Sequence, residues 1–111
     1  MNHYEIWVNL APGANDLELV KAIRNYLGHF QSQGKLESYT IRRRKFGFGP
    51  PDLGEFYISI AFKDLAQMDQ AFFGAASRDA VVEPLHHEVY SRVKDFKSAL
   101  YRDFPDDVRP I

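Results

Sequence analysis

The stretch HYEIWVNL, residues 3–10, changes character at every step. Tyr4, Ile6, Val8 and Leu10 fall on one side, and His3, Glu5, Trp7 and Asn9 on the other. A period of two is that of a strand with one buried face, because successive side chains of an extended chain point to opposite sides. EFYISIAF, residues 55–62, repeats the pattern, with Phe56, Ile58, Ile60 and Phe62 on one face and Tyr57, Ser59 and Ala61 on the other. Two half-buried strands so far apart in the chain predict a sheet with a covered side and a second, more polar side.

After the first strand, Asn15 followed by Glu18 reads as a capping box, and Val20, Ile23, Leu27 and Phe30 recur at helical spacing until QSQG ends the helix near Gly34. Residues 37–46 return to strand character, and GFGPPDLG carries the chain to the strand at 55–62. Asp64 with Gln67 forms a second capping pair, and Leu65, Met68, Phe72 and Ala75 stripe a second helix. Pro84 interrupts a continuous helix beyond it, although Leu85, Val89 and Val93 point to a further helical turn or two. A last strand is expected at about residues 96–104, stopped by Pro105; residues 85–104 also read as mostly helix, and both readings stand at this stage.

The order is βαββαβ, an α+β, ferredoxin-like arrangement in a single domain spanning residues 1–111. Right-handed crossovers place both helices on one face of a four-stranded antiparallel sheet. The other face, bearing His3, Glu5, Trp7, Asn9, Tyr57 and Ser59, is too aromatic for ordinary solvated surface and too polar for a closed core. A second copy of the chain, forming a homodimer, or a small-molecule ligand is expected to cover it.

Composition narrows the function classes. A net charge of -1 gives no general attraction to polyanions, so nucleic acid is not the expected partner. The absence of cysteine removes disulfides, thiolate nucleophiles and cysteine-held metals. No basic segment leads into a long apolar run, so no membrane association is expected and the chain reads as a soluble cytoplasmic protein. The glycine-rich loop opens onto a strand rather than a helix, unlike a phosphate-binding loop. His86 and His87 are adjacent and would point about 100° apart on a helix, so no metal site is expected.

The elements together resemble the dimeric α+β-barrel superfamily, in which two ferredoxin-like chains close their sheets against each other. That superfamily includes the stress-responsive barrel proteins and the small antibiotic-biosynthesis-type monooxygenases. The tail HHEVYSRVKDFKSALYRDFPDD resembles the stress-responsive group's short helix with an early histidine leading into a last strand. GFGPPDLGEF and SALYRDFPD are similar to stretches of a bacterial barrel family with no assigned activity. The resemblance implies a barrel cavity binding a small aromatic or acidic molecule. It also admits a monooxygenase-like enzyme that needs no cofactor, with Trp7, Asn9 and Arg42 or Arg44 as counterparts in kind. In the haem-degrading branch Asn9 and His86 or His87 would have counterparts, but the tryptophan of the second helix is replaced by Phe72 and Phe73, so haem is disfavoured and no cofactor is expected.

IWVNL also resembles the first-strand signature of the RNA-recognition motif. In the matching third strand only Tyr57 fits, and Glu55 occupies a base-stacking position where a carboxylate repels phosphate. The cations Arg42, Arg43, Arg44 and Lys45 lie on an expected edge strand. They are read mainly as guarding that edge, or as pairing with acids such as Glu5, Glu55 or Asp103. Alternation would put Arg42 and Arg44 on one face, where they could hold a carboxylate or phenolate. The candidate cavity residues are therefore His3, Glu5, Trp7, Asn9, Arg42, Arg44, Tyr57, Ser59 and His86.

Overall fold

A computed structural model describes residues 1–77 and 79–111. The elements are β1 (Asn2–Leu10), α1 (Asp16–Ser32), β2 (Ser38–Arg43), β3 (Phe56–Phe62), α2 (Leu65–Ala76), α3 (Val82–Tyr90) and β4 (Val93–Arg102). The four strands form one antiparallel sheet in the order β2-β3-β1-β4. The ferredoxin-like order is therefore present, and the further helical turns expected around Leu85 and Val89 form α3.

Both expected caps form. Asn15 accepts from the Glu18 amide at 3.0 Å and opens α1. Asp64 accepts from the Gln67 amide at 2.8 Å, while Gln67 reaches back to the Lys63 amide at 2.8 Å and across to the Gly34 carbonyl at 2.9 Å. Those bonds explain how Gln67 is buried in α2 ahead of the apolar Leu65, which stays exposed. Gly34 ends α1 with φ of 71°, a conformation that glycine adopts without a Cβ penalty.

Two boundaries differ from the sequence pattern. Pro84 does not interrupt α3 but sits in its first turn, where an amide would have no helical partner in any case. Asp79 caps that turn, accepting from the Val81 amide at 2.7 Å and the Val82 amide at 3.3 Å, and these bonds hold its carboxyl below the usual carboxylate range. β4 begins at Val93 rather than near residue 96, because its pairing with β1 runs on past an irregularity to Leu10↔Val93.

The core lies between the helices and one face of the sheet. Val8, Phe56, Ile58, Ile60 and Phe62 meet Leu19, Ile23, Leu27 and Phe30 of α1, with Ala71 and Val82 from the other helices. Burying an aliphatic or aromatic side chain of this kind contributes about 1.5–3 kcal/mol. No described helix is long and apolar enough to cross a membrane.

Candidate functional site

The sheet divides the sequence-derived candidates. Cross-strand partners share a face, so the pairs Glu5↔Ser59, Trp7↔Tyr57 and Arg42↔Tyr57 place these residues together on the side away from the helices, with His3 and Asn9 further along β1. Here Trp7 and Tyr57 stack with ring centroids 5.5 Å apart and planes 23° apart. Tyr57 donates its hydroxyl to Glu5 at 2.6 Å. Desolvation, and then the Glu5 bond, push the Tyr57 hydroxyl above its ordinary pKa.

The polar ends of this face are already engaged. His3 Nε2 lies 2.7 Å from Asp103, and this bond holds the Asp103 carboxyl below its usual range. Asn9 uses both ends of its amide, accepting from the Glu55 amide at 2.9 Å and donating to Asp95 at 3.1 Å. Arg42 donates to Thr40 at 2.7 Å.

Arg44 does not join Arg42. β2 ends at Arg43 and positive φ at Phe46 and Gly47 turns the chain beyond it, while the amide of Arg44 itself still donates to the Glu55 carbonyl at 2.8 Å. Its guanidinium instead donates to the Leu53 carbonyl at 2.8 Å and the Pro50 carbonyl at 3.1 Å, closing the loop between β2 and β3 on itself. Arg43 turns to the helix side and pairs with both Asp16 and Glu55 at 2.7 Å. Arg42, Arg43 and Arg44 thus have hydrogen-bond partners within the chain itself.

His86 is separated from the other candidates. It belongs to the opposite side of the sheet, where a cavity of about 280 Å³ lies between sheet and helices. Val8, Ile58, Ile60, Leu27 and Phe30 supply apolar wall, and Tyr26, His86 and Tyr90 supply the polar-tipped part. The His86 ring centroid is 5.5 Å from that of Tyr26 and 5.2 Å from that of Tyr90. Burial, with a smaller contribution from the Glu83 charge, pushes the Tyr26 hydroxyl up to about 12. Among the described residues neither the Tyr26 hydroxyl nor the His86 ring has a hydrogen-bond partner, and no fully buried side-chain polar atom is left unpaired. Both residues line the cavity.

The sequence pattern identifies His86 but misses Tyr26 and Tyr90. Two signals were present: Tyr26 interrupts the apolar stripe of α1 three residues after Ile23, and His86 and Tyr90 stand one helical turn apart. Of the lining residues, Phe72 of α2, Tyr90 of α3 and Phe96 of β4 are exposed, so the cavity reaches solvent beside them. Among the described residues no group of three or more His, Asp or Glu side chains is arranged to hold a metal ion.

Solved structures with this fold include protein At3g17210 from Arabidopsis thaliana, at TM-score 0.73 and 6% identity over 96% of this chain and 99% of that one. A dimeric ferredoxin-like protein of unknown function from Jannaschia sp. CCS1 superposes at TM-score 0.68 and 8% identity, over 92% of this chain and 98% of that one. SnoaB, a cofactor-independent oxygenase from Streptomyces nogalater, superposes at TM-score 0.65 and 13% identity, over 95% of this chain and 97% of that one. At such identities the likeness shows a shared fold. No curated protein matches the chain. Residues 1–110 match the sequence pattern of DUF6614, and the chain belongs to that family of unknown function.

Proposed function

We propose that the protein is a homodimeric α+β barrel in which each chain holds a small, flat, polar-ended aromatic molecule between its sheet and its helices. The observation that carries this reading is the cavity of about 280 Å³, with apolar walls and with Tyr26 and His86 among the polar-tipped residues that line it. A cavity of about 150 Å³ takes up benzene, so there is room here for a two-ring compound. A ligand hydroxyl or carbonyl would find a donor in Tyr26 and either a donor or an acceptor in His86.

The second copy belongs on the open sheet face. Trp7 and Tyr57 leave aromatic surface there, and the molecule is a slab only 18 Å thick. Its radius of gyration of 14.7 Å exceeds the value of about 13 Å expected for a self-contained chain of this length. The neighbour from Jannaschia is described as dimeric, which supports the same reading.

The test is calorimetric titration with 2-naphthol alongside native mass spectrometry. We expect a dimer with one molecule bound per chain. Tyr26→Phe and His86→Ala should each weaken binding about three- to tenfold, the worth of one hydrogen bond. A monomer at micromolar concentration removes the barrel, and absence of binding removes the ligand site.

A second reading is a cofactor-independent oxygenase acting in the same cavity, supported by the imidazole of His86 standing beside it and by the fold shared with SnoaB. His86 would accept a phenolic proton, leaving an electron-rich anion to react with oxygen. Oxygen consumption with a panel of phenols and quinols, lost in His86→Ala, is the expected result. Failure of every substrate counts against it. RNA binding is the weakest reading, because the Glu5 carboxylate is bonded to Tyr57 on the very face that would have to stack bases, where a carboxylate repels phosphate.

A further inference from the structure

Val93 and Phe96 both line the cavity although they stand three residues apart on one strand. A regular strand returns to the same face after two or four residues, never three. The pairing of β4 with β1 explains how they meet: Trp7 faces Lys97 and Asn9 faces Lys94, so β4 advances three residues while β1 advances two. The extra residue makes a bulge, a device that re-aims side chains. Within it Asp95 has φ of 57°, a left-handed conformation that aspartate tolerates better than most side chains.

Asn9 holds the bulge from the opposite face of the sheet. Its amide nitrogen donates to Asp95 at 3.1 Å, and its amide oxygen accepts from the Glu55 amide at 2.9 Å, which ties β1 to the start of β3 as well. The outcome is that Phe96, 56% exposed on an edge strand, stands between the cavity and water. It lies on the helix side, so a second copy laid over the open face leaves it uncovered.

We propose that Phe96 is the gate of the cavity and that Asn9, acting through Asp95, is its positioning residue, so that together they set the largest ring system that enters. The proposal rests on the reading of the cavity as a site for flat aromatic molecules, and it adds what selects among them.

The test compares 2-naphthol, a two-ring probe, with 1-hydroxypyrene, a four-ring probe carrying the same polar group, followed by their own fluorescence at equilibrium and in stopped flow. Wild-type protein should prefer 2-naphthol by about tenfold or more, the scale on which a pocket rejects excess volume. Phe96→Ala should bring the two affinities close together and speed both association and dissociation of 2-naphthol, with Phe96→Leu between the two. Asn9→Ala should move selectivity in the same direction without touching the cavity. Asp95→Asn, whose side-chain oxygen still accepts from Asn9, should retain wild-type selectivity. If wild-type protein binds 2-naphthol but Phe96→Ala changes neither the ratio nor the rates, the gate is overturned while the cavity reading survives. If Asn9→Ala folds and keeps wild-type selectivity, the positioning role is overturned. Absence of 2-naphthol binding in every form overturns both the gate and the cavity.

Discussion

Tyr57 donates its hydroxyl to the Glu5 carboxylate at 2.6 Å, joining the two central strands across the open face of the sheet. Glu5 is only 8% exposed. Removing the carboxylate in Glu5→Ala should leave Tyr57 without that partner and destabilise the fold by about 1–3 kcal/mol, measured by urea denaturation. Glu5→Gln keeps an acceptor and should cost less. It should also bring the Tyr57 hydroxyl part of the way back toward 10.0, since desolvation, the larger cause of its raised pKa, remains.

Gly54 is fixed by contact rather than by conformation. A Cβ at this position would lie 2.4 Å from the Val8 carbonyl carbon and oxygen. Backbone in the middle of a sheet gives little, so Gly54→Ala should cost about 1–3 kcal/mol, at the upper end of that range, in equilibrium unfolding. A wild-type melting temperature in this variant would mean that β1 and the loop do not meet as described.

The Tyr26 hydroxyl links stability to alkaline pH. Its pKa of about 12 in the folded chain lies above the ordinary 10.0, so the folded state holds this proton more tightly than the unfolded state does. The stabilisation is complete below pH 10 and is lost as pH rises toward 12. Tyr26→Phe should flatten that part of the stability profile, followed by denaturation across the range. An unchanged alkaline slope would contradict the burial of this group.

Arg44 holds the β2–β3 loop through the Pro50 and Leu53 carbonyls. Arg44→Met retains the aliphatic stem but removes the donors. Amides of residues 46–49 and 52–54 should then exchange faster with solvent, while those of β1 and β3 are unchanged. Protection spread evenly over loop and sheet in both forms would argue against a latch.

The strands were legible because alternation in HYEIWVNL and EFYISIAF records a sheet with two unlike faces. The two capped helices were legible because Asn15 and Asp64 stand where capping chemistry requires them. The cavity was not. Leu27, Phe30 and Ile60 look the same in sequence whether they pack solidly or line a space, because periodicity reports direction and not distance. The bulge was equally hidden, since nothing in VKDFKS marks Asp95 as the extra residue until β1 lies beside it. Arg44 was assigned to a face by alternation, but the Pro50 and Leu53 carbonyls draw its guanidinium into the β2–β3 loop. The open face was read correctly in its membership, yet His86 of the candidate set faces the other way.

The proposed ligand site lies between sheet and helices rather than on the open face. It is tested most directly by backbone amide chemical-shift mapping during titration with 2-naphthol. Saturable shifts are expected to concentrate at Tyr26, His86, Tyr90 and Phe96, with Trp7, Arg42 and Tyr57 little changed. Saturable shifts centred on Trp7, Arg42 and Tyr57, with His86 and Tyr26 unmoved, would contradict it.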